Sequence, residues 1–312
     1  MTNFILNRAS KSGYFPSNFD SLEMSSLKLI SKIKVDLSSK YPDIIITSSD
    51  TPVSKLSSDG YFSNAKLVIH PNSGHDNFSY DFVQNANFPI ILGNSIRKNA
   101  VSEYCLSTIF HHFAVLPHLE KWDTARQWPR KLLRDQRVLV YGKGHIGNIL
   151  NSALKPLVRS IDFEDPFKKV TCTHKLSEID IIIFAMSLNP TSLNFANKSL
   201  FQKLKEDVVL INPARGKIIN WKDLTDYLQE NTSAKAYVDV FPEEPFPIER
   251  YSQLKNLFCS SHVAGVFKNI CPEIIRFESD IIKDFINLDL KNFEYKYKSL
   301  NLRNKIHGDY II

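Results

Sequence analysis

Residues 137–147, Arg-Val-Leu-Val-Tyr-Gly-Lys-Gly-His-Ile-Gly, constrain this chain more than any other stretch. Val138 to Tyr141 form a short apolar run of the kind expected for a strand buried on both faces. Gly142, Gly144 and Gly147 follow in G-x-G-x-x-G spacing, and Ile149, Leu150, Ala153 and Leu154 then recur at helical intervals. Strand, glycine turn and helix together give the motif a physical meaning. The first glycine permits the tight turn, the second lets backbone approach a pyrophosphate, and the third lets helix and strand pack closely. The helix N-terminus adds N–H groups and partial positive charge. The stretch predicts a nucleotide-binding turn.

The second strand sharpens the reading. Arg159-Ser-Ile-Asp-Phe-Glu-Asp165 ends in a carboxylate 18 residues after Gly147. An acid about 20 residues beyond the glycines accepts hydrogen bonds from the adenosine ribose and repels a 2′-phosphate. Asp165, followed by Pro166, is the candidate. Asp162 and Glu164 compete on the same strand, and solvation of all three acids is the bland alternative. Lys168 and Lys169 blur the preference, which is read as NAD over NADP.

A chain of 312 residues, 43% apolar and 23% charged, has room for two cores and the composition of a folded protein. Its net charge of +6 is spread along the sequence, with no run of like charges that marks a nucleic-acid arm. A preference for small anions is the most it suggests. Cys105, Cys172, Cys259 and Cys271 form no C-x-x-C pair and suit a reducing compartment. No Cys/His spacing resembles a metal-ligand set. The N-terminal apolar stretch is too short for a signal peptide, and the longest apolar run, Ile179 to Met186, is too short to span a membrane. A soluble, cytoplasmic protein is expected.

In the first hundred residues, Asp43–Thr47, Ala65–His70 and Phe88–Gly93 read as short strands in a small α/β unit. Pro71-Asn-Ser-Gly-His-Asp-Asn77 is a dense turn at a strand's carboxyl end, where open α/β sheets bind ligands. Backbone N–H groups near Gly74 offer a carboxylate site; an ordinary surface turn is the alternative. From Asn99 to about Trp122 apolar residues recur at helical spacing, predicting a long helix broken near Pro117. The aromatic and histidine-rich remainder reads as either a core helix or an arm between subunits. Beyond Asp165, strands at Ile179–Ala185, Val208–Ile211 and Ala234–Val240 alternate with helices at Lys198–Lys205 and Trp221–Leu228, the latter with Asn220 as N-cap. The alternation predicts a parallel, doubly wound sheet.

Three polar stretches follow strands in this half: Asn212-Pro-Ala-Arg-Gly216, Asp239-Val-Phe-Pro-Glu-Glu-Pro245 and Ser261-His-Val-Ala-Gly265. They deliver Arg215, Glu244 and His262 to the edge that carries the glycine turn. Reducing a 2-keto acid needs a fixed cation, a proton donor active near pH 7 and a group that orients it. Arg holds a carboxylate or carbonyl through its planar fork. His serves as acid/base, and a carboxylate beside it favours the imidazolium and fixes the tautomer. Singly, each has a bland reading: a surface charge, a loop acid, a satisfied histidine.

With Val101-Ser-Glu103, Gly142–Gly147, Asn212–Gly216, Asp239–Pro245 and His262–Gly265 in this order, the sequence resembles the D-isomer-specific 2-hydroxyacid dehydrogenase family over nearly its whole length. The resemblance implies an α/β architecture in which a doubly wound cofactor domain, 99–266, is inserted into a smaller flavodoxin-like substrate domain, 1–98 and 267–312. It implies Arg215 as the substrate-binding and activating residue, Glu244 as the histidine's partner and His262 as acid/base. It also implies substrate contacts from Ser73 and Gly74, and cofactor contacts from Gly142, Gly144, His145, Ile146, Gly147, Asp165, Asn212, Ala214 and Asp239, with no metal. A homodimer built on an arm near 99–130 and a cleft between the domains follow from the same likeness.

The sequence departs from the family pattern at Val158, where a glycine is usual, at Ser187-Leu-Asn-Pro-Thr-Ser192, and at Asn94-Ser-Ile-Arg-Lys98. Arg97 and Lys98, at the entry to the long helix, offer a site for a phosphate or second carboxylate; two solvated charges are the alternative. The functional expectation is an NAD-dependent oxidoreductase acting on a small anionic 2-hydroxy/2-keto acid pair, with no nucleic-acid or membrane partner. The competing class is a dinucleotide-sensing, corepressor-like protein without turnover.

Overall fold

The structure, a computed structural model, describes residues 3–312 apart from Phe15 and Pro129. The first two residues of the N-terminal stretch and Pro129 of the expected arm lie outside the described residues. The chain divides into unit 1, Met1–Arg97 with Val266–Ile312, and unit 2, Lys98–Gly265.

Unit 1 opens with β1 (Phe4–Arg8), α1 (Phe19–Leu27), β2 (Ile33–Val35), β3 (Ile44–Ile46), α2 (Val53–Ser58), β4 (Leu67–His70), α3 (Tyr80–Asn85) and β5 (Ile90–Leu92). Its strands form one sheet in the order β2-β1-β3-β4-β5, every pair parallel. This is the flavodoxin-like order. The cores of β3, β4 and β5 are the apolar runs read from sequence. β1 and β2 went unread, because Phe-Ile-Leu-Asn-Arg and Ile-Lys-Val are too short and mixed to stand out.

The long helix, α4, spans Asn94–Phe113 rather than Asn99 to Trp122. It starts directly after Gly93, so Arg97 and Lys98 lie inside it and not at its entry. It ends where Ala114 N–H bonds Phe110 O. Pro117 has no N–H and disfavours helical backbone at Leu116, so the apolar spacing continues without a helix. Leu116 is 79% exposed and Trp122 80% exposed.

Unit 2 continues with β6 (Arg137–Tyr141), α5 (His145–Leu154), β7 (Ser160–Glu164), β8 (Ile181–Phe184), α6 (Lys198–Phe201), β9 (Val209–Asn212), α7 (Trp221–Glu230), β10 (Lys235–Val238) and β11 (Leu257–Cys259). Unit 1 then resumes with α8 (Ile270–Asn287) and α9 (Leu290–Lys296). α6 stops well short of Lys205 because Lys203 and Leu204 already bond three residues back. The side chain of Asn220 caps α7 by accepting from Asp223 N–H.

The sheet of unit 2 runs β7-β6-β8-β9-β10-β11, all parallel. Both faces are buried, as the apolar runs require. Leu139, Tyr141, Ile182, Phe184, Leu210, Ala236 and Val238 face one core. Val138, Val140, Ile181, Ile183, Val209, Ile211 and Tyr237 face the other. The order reverses between β6 and β8, so their carboxyl ends open the crevice where doubly wound sheets take ligands. After β7 the chain reaches β8 without adding a strand outside it, leaving β7 at the edge. Among the described residues no helix is long and apolar enough to cross a membrane.

Candidate active site

Parallel pairing puts the carboxyl ends of all six strands of unit 2 on one side, so the turns that follow share one rim. β6 ends in Gly142, whose φ of +101° is costly for any residue with a side chain. A Cβ there would also meet Ala185 O at 2.6 Å, in the turn after β8. Gly147 lies against Gly142 O, where a Cβ would come to 2.4 Å. Around Gly144, by contrast, a Cβ would meet nothing within 4 Å. Gly144 is the N-cap of α5, and no side chain caps that helix. An open turn with uncapped N–H groups fits the pyrophosphate of a dinucleotide. His145 and Ile146 begin the helix behind it.

Asp165, at the end of β7, is only 8% exposed. Its Oδ2 accepts from Lys143 N–H at 2.8 Å, binding the second strand's end to the glycine turn. Lys168 extends to Lys143 O. The two competing acids are engaged elsewhere and not simply solvated: Glu164 accepts from Cys172 N–H at 2.9 Å, and Asp162 lies 3.0 Å from His174 Nδ1.

β9 ends in Asn212, buried, whose Oδ1 accepts from Ala214 N–H and whose Nδ2 donates to Arg215 O. The amide thus shapes the turn that presents Arg215. Arg215 is half-buried, with Nη1 donating to Ala214 O at 2.7 Å. At Gly216 a Cβ would fall 1.9 Å from the backbone carbon of Phe241. The arginine turn is therefore pressed onto the turn that carries Glu244.

Glu244 joins that turn to the next. Its Oε1 accepts from Phe241 N–H at 2.9 Å, and its Oε2 lies 2.7 Å from His262 Nδ1. The His262 side chain is 53% exposed and that of Glu244 36%. The structure thus brings Arg215, Glu244 and His262 to one rim and pairs the last two directly.

Asp239, by contrast, is fully buried. Its Oδ1 accepts from Ser260 Oγ and Val263 N–H, its Oδ2 from Ala264 N–H, and its backbone O from His262 N–H at 2.7 Å. The histidine turn is wrapped around this carboxylate, which holds His262 at a φ of +55°. Tyr104 OH adds a 2.9 Å bond to Ser260 Oγ. Sequence reasoning missed Ser260, Tyr104 and this positioning part of Asp239. Nothing in residue spacing announces side-chain bonds to backbone.

Ser73 and Gly74 belong to unit 1, in the turn after β4. His70 anchors that turn: Nε2 donates to Gly74 O at 2.8 Å, and Nδ1 is 2.8 Å from Thr47 Oγ1. Arg97 donates to Pro71 O and to Tyr14 OH. Its guanidinium is thus engaged in holding the same turn, a correction to the reading of two solvated charges at a helix entry.

The strand order, the open glycine turn and the rim of strand-end residues define a nucleotide-binding doubly wound α/β unit. Residues 110–264 match the NAD binding domain of D-isomer specific 2-hydroxyacid dehydrogenases. The human glyoxylate reductase/hydroxypyruvate reductase is 26% identical over 236 residues, covering 68% of this chain and 71% of that protein. The erythronate-4-phosphate dehydrogenase of Blochmanniella floridana is 26% identical over 239 residues, covering 72% of this chain and 59% of that enzyme's length. The D-lactate dehydrogenase of Aquifex aeolicus, solved with NAD and lactic acid, superposes with a TM-score of 0.70 at 18% identity, covering 96% of this chain and 99% of its own. Residues 110–264 thus form an NAD binding domain of the D-isomer specific 2-hydroxyacid dehydrogenase type.

Proposed function

We propose that the protein is an NAD-dependent oxidoreductase that interconverts a small 2-hydroxy acid and its 2-keto acid, running in the cytoplasm as a homodimer. The observation that carries the reading is the 2.7 Å Glu244–His262 pair on the same rim as the glycine turn and Arg215. When bound, NAD(H) supplies or accepts the hydride. The chain's own residues do the rest. The glycine turn, His145 and Ile146 take the phosphates, Asp165 the ribose and Ala214 the nicotinamide end, while the buried Asn212 and Asp239 shape the turns behind it.

Arg215 binds the acid and polarises its carbonyl through a planar fork suited to oxygen pairs. Glu244 holds Nδ1 of His262, leaving Nε2 as the nitrogen that transfers a proton. In reduction, protonated His262 donates to the forming alkoxide; in oxidation, neutral His262 removes the hydroxyl proton. Such general acid–base catalysis contributes about 10²- to 10⁴-fold in rate. Residues 1–98 and 267–312 form the substrate domain, where the N–H groups around Ser73 and Gly74 receive the carboxylate; 99–266 form the cofactor domain. The exposed apolar side chains Val115, Leu116, Leu119 and Trp122 support a subunit contact through the arm near 99–130. No disulfide joins Cys105, Cys172, Cys259 or Cys271, which supports a reducing compartment.

The test is a panel of 2-keto acids followed by NADH absorbance. Turnover of at least one, faster than with NADPH, is expected. NADH binding without turnover of any keto acid overturns the reading in favour of a dinucleotide sensor.

A further inference from the structure

The edge of the unit 2 sheet carries a second group of chemically competent side chains, remote in sequence from Arg215, Glu244 and His262. Outside β7 the chain forms no strand. It is tied there by the reciprocal Asp165–Val170 backbone bonds and by Cys172 N–H to Glu164 Oε2. Just beyond, Cys172 and His174 turn onto Asp162, three positions before Asp165 on the same strand. The ligand atoms of Asp162, Cys172 and His174 all lie within 4.8 Å of one another. Asp162 Oδ2 and His174 Nδ1 are 3.0 Å apart, yet both are buried atoms without a well-formed hydrogen bond. Cys172 Sγ makes a long, weak 3.6 Å contact to His174 O.

A carboxylate oxygen and a ring nitrogen that are both inaccessible and lack a well-formed hydrogen bond, beside a half-buried thiol, are costly unless a further partner joins them. We propose that Asp162, Cys172 and His174 form a site for a divalent transition-metal ion of the zinc type, with one open position. Imidazole nitrogen, thiolate and a single carboxylate make the borderline-soft set that zinc takes in tetrahedral geometry. Calcium and magnesium want six or more oxygens, which this set lacks. With metal–sulfur bonds of about 2.3 Å and metal–nitrogen bonds of about 2.0–2.1 Å, small rotations of the three side chains close the cluster on one ion. The spacing of Cys172 and His174 matches no sequence motif for zinc, and Asp162 joins them only through the fold.

The sulfur binds an ion as thiolate, so binding releases a proton to solvent and tightens with pH. The ion staples residues 170–174 to the bare edge strand, in place of the strand hydrogen bonds missing there.

The experiment uses the full chain, freed of metal by a chelator, titrated with Co²⁺ and then with Zn²⁺. One equivalent of Co²⁺ should give a thiolate-to-cobalt charge-transfer band, which Zn²⁺ abolishes by displacement, and Zn²⁺ should raise Tm. Cys172→Ser should remove the band, while Cys271→Ser should retain it. His174→Ala and Asp162→Asn should each weaken zinc binding by at least about 10- to 100-fold, the cost already seen for changes behind the ligands. Absence of the band in the folded protein, or its survival in Cys172→Ser, overturns the proposal, as does unchanged zinc affinity in His174→Ala. If a variant fails to fold, alkylation of the unmutated protein decides: Zn²⁺ should protect Cys172 selectively, and equal labelling with and without Zn²⁺ overturns the site.

Discussion

The two sheets share a strand order over five strands and differ in what their strand ends do with charge. In unit 1 the end of β1 delivers Arg8 into the interior, where it pairs with the fully buried Glu23. The fully buried Glu278 of α8 stands beside them, 3.8 Å from Arg8. Two fully buried acids share one cation, and burial together with the charge of Glu23 pushes the Glu278 carboxyl well above its usual range. In unit 2 the strand ends carry Arg215, Glu244 and His262 to a rim where the histidine is half exposed and its buried support is the neighbouring Asp239. Topology alone therefore assigns no function. Charge turned inward consolidates a core; charge propped at a rim on a buried carboxylate is available for chemistry.

The contrast breaks most visibly at His262. His262→Ala should lower keto-acid reduction by about 10²- to 10⁴-fold at every pH, with NADH binding retained because the glycine turn is untouched; stopped-flow absorbance and fluorescence titration read the two parts. Gly216→Ala comes next. Its Cβ would overlap Phe241 backbone, and such overpacking costs about 1–3 kcal/mol, so a lower Tm and a lower kcat should appear together. Asp165→Ala should narrow the preference for NADH over NADPH by roughly tenfold, since a hydrogen bond to a charged group contributes about 1.5–3 kcal/mol and Asp165 also holds Lys143. Equal efficiency with both cofactors before mutation would assign the preference to another group.

The smallest effect belongs to the inward-turned charge. Folded Glu278 keeps its proton to higher pH than it would in the unfolded chain. Between those two pKa values the native state binds more protons, so stability falls as pH rises through that window. Glu278→Gln keeps the shape and removes the titration, so thermal unfolding should lose that part of its pH dependence above the ordinary carboxylate range. An unchanged slope would show that Glu278 ionises normally.

Much of unit 2 was readable because it is built of buried parallel strands, whose apolar runs stand out, each followed by a turn with its own chemistry. The β6–glycine–α5 segment and the Asn220 cap of α7 appear where sequence places them. Elements resting on few residues were not readable: β2 has three residues, one of them Lys34, and helical spacing past Phe113 ignored Pro117. In the site, residue types at strand ends pointed to Arg215, Glu244 and His262, because those side chains stand free of their own secondary structure. The burial of Asp239 under the histidine turn, the His70 anchor behind Ser73 and Gly74, and the convergence of Asp162 with Cys172 and His174 depend on contacts across elements, which spacing does not encode.

The kinetics of Glu244→Gln test the central claim most directly, that a rim carboxylate and His262 form the working acid/base pair. Glutamine keeps a hydrogen-bonding side chain beside Nδ1 and removes the carboxylate that sets the ring's tautomer and orientation. The kcat for keto-acid reduction should fall by about tenfold or more, part of the roughly 10²- to 10⁴-fold that general acid–base catalysis contributes, with NADH affinity unchanged in a fluorescence titration. An unchanged kcat would contradict the account, because Glu244 would then not act on the histidine it touches.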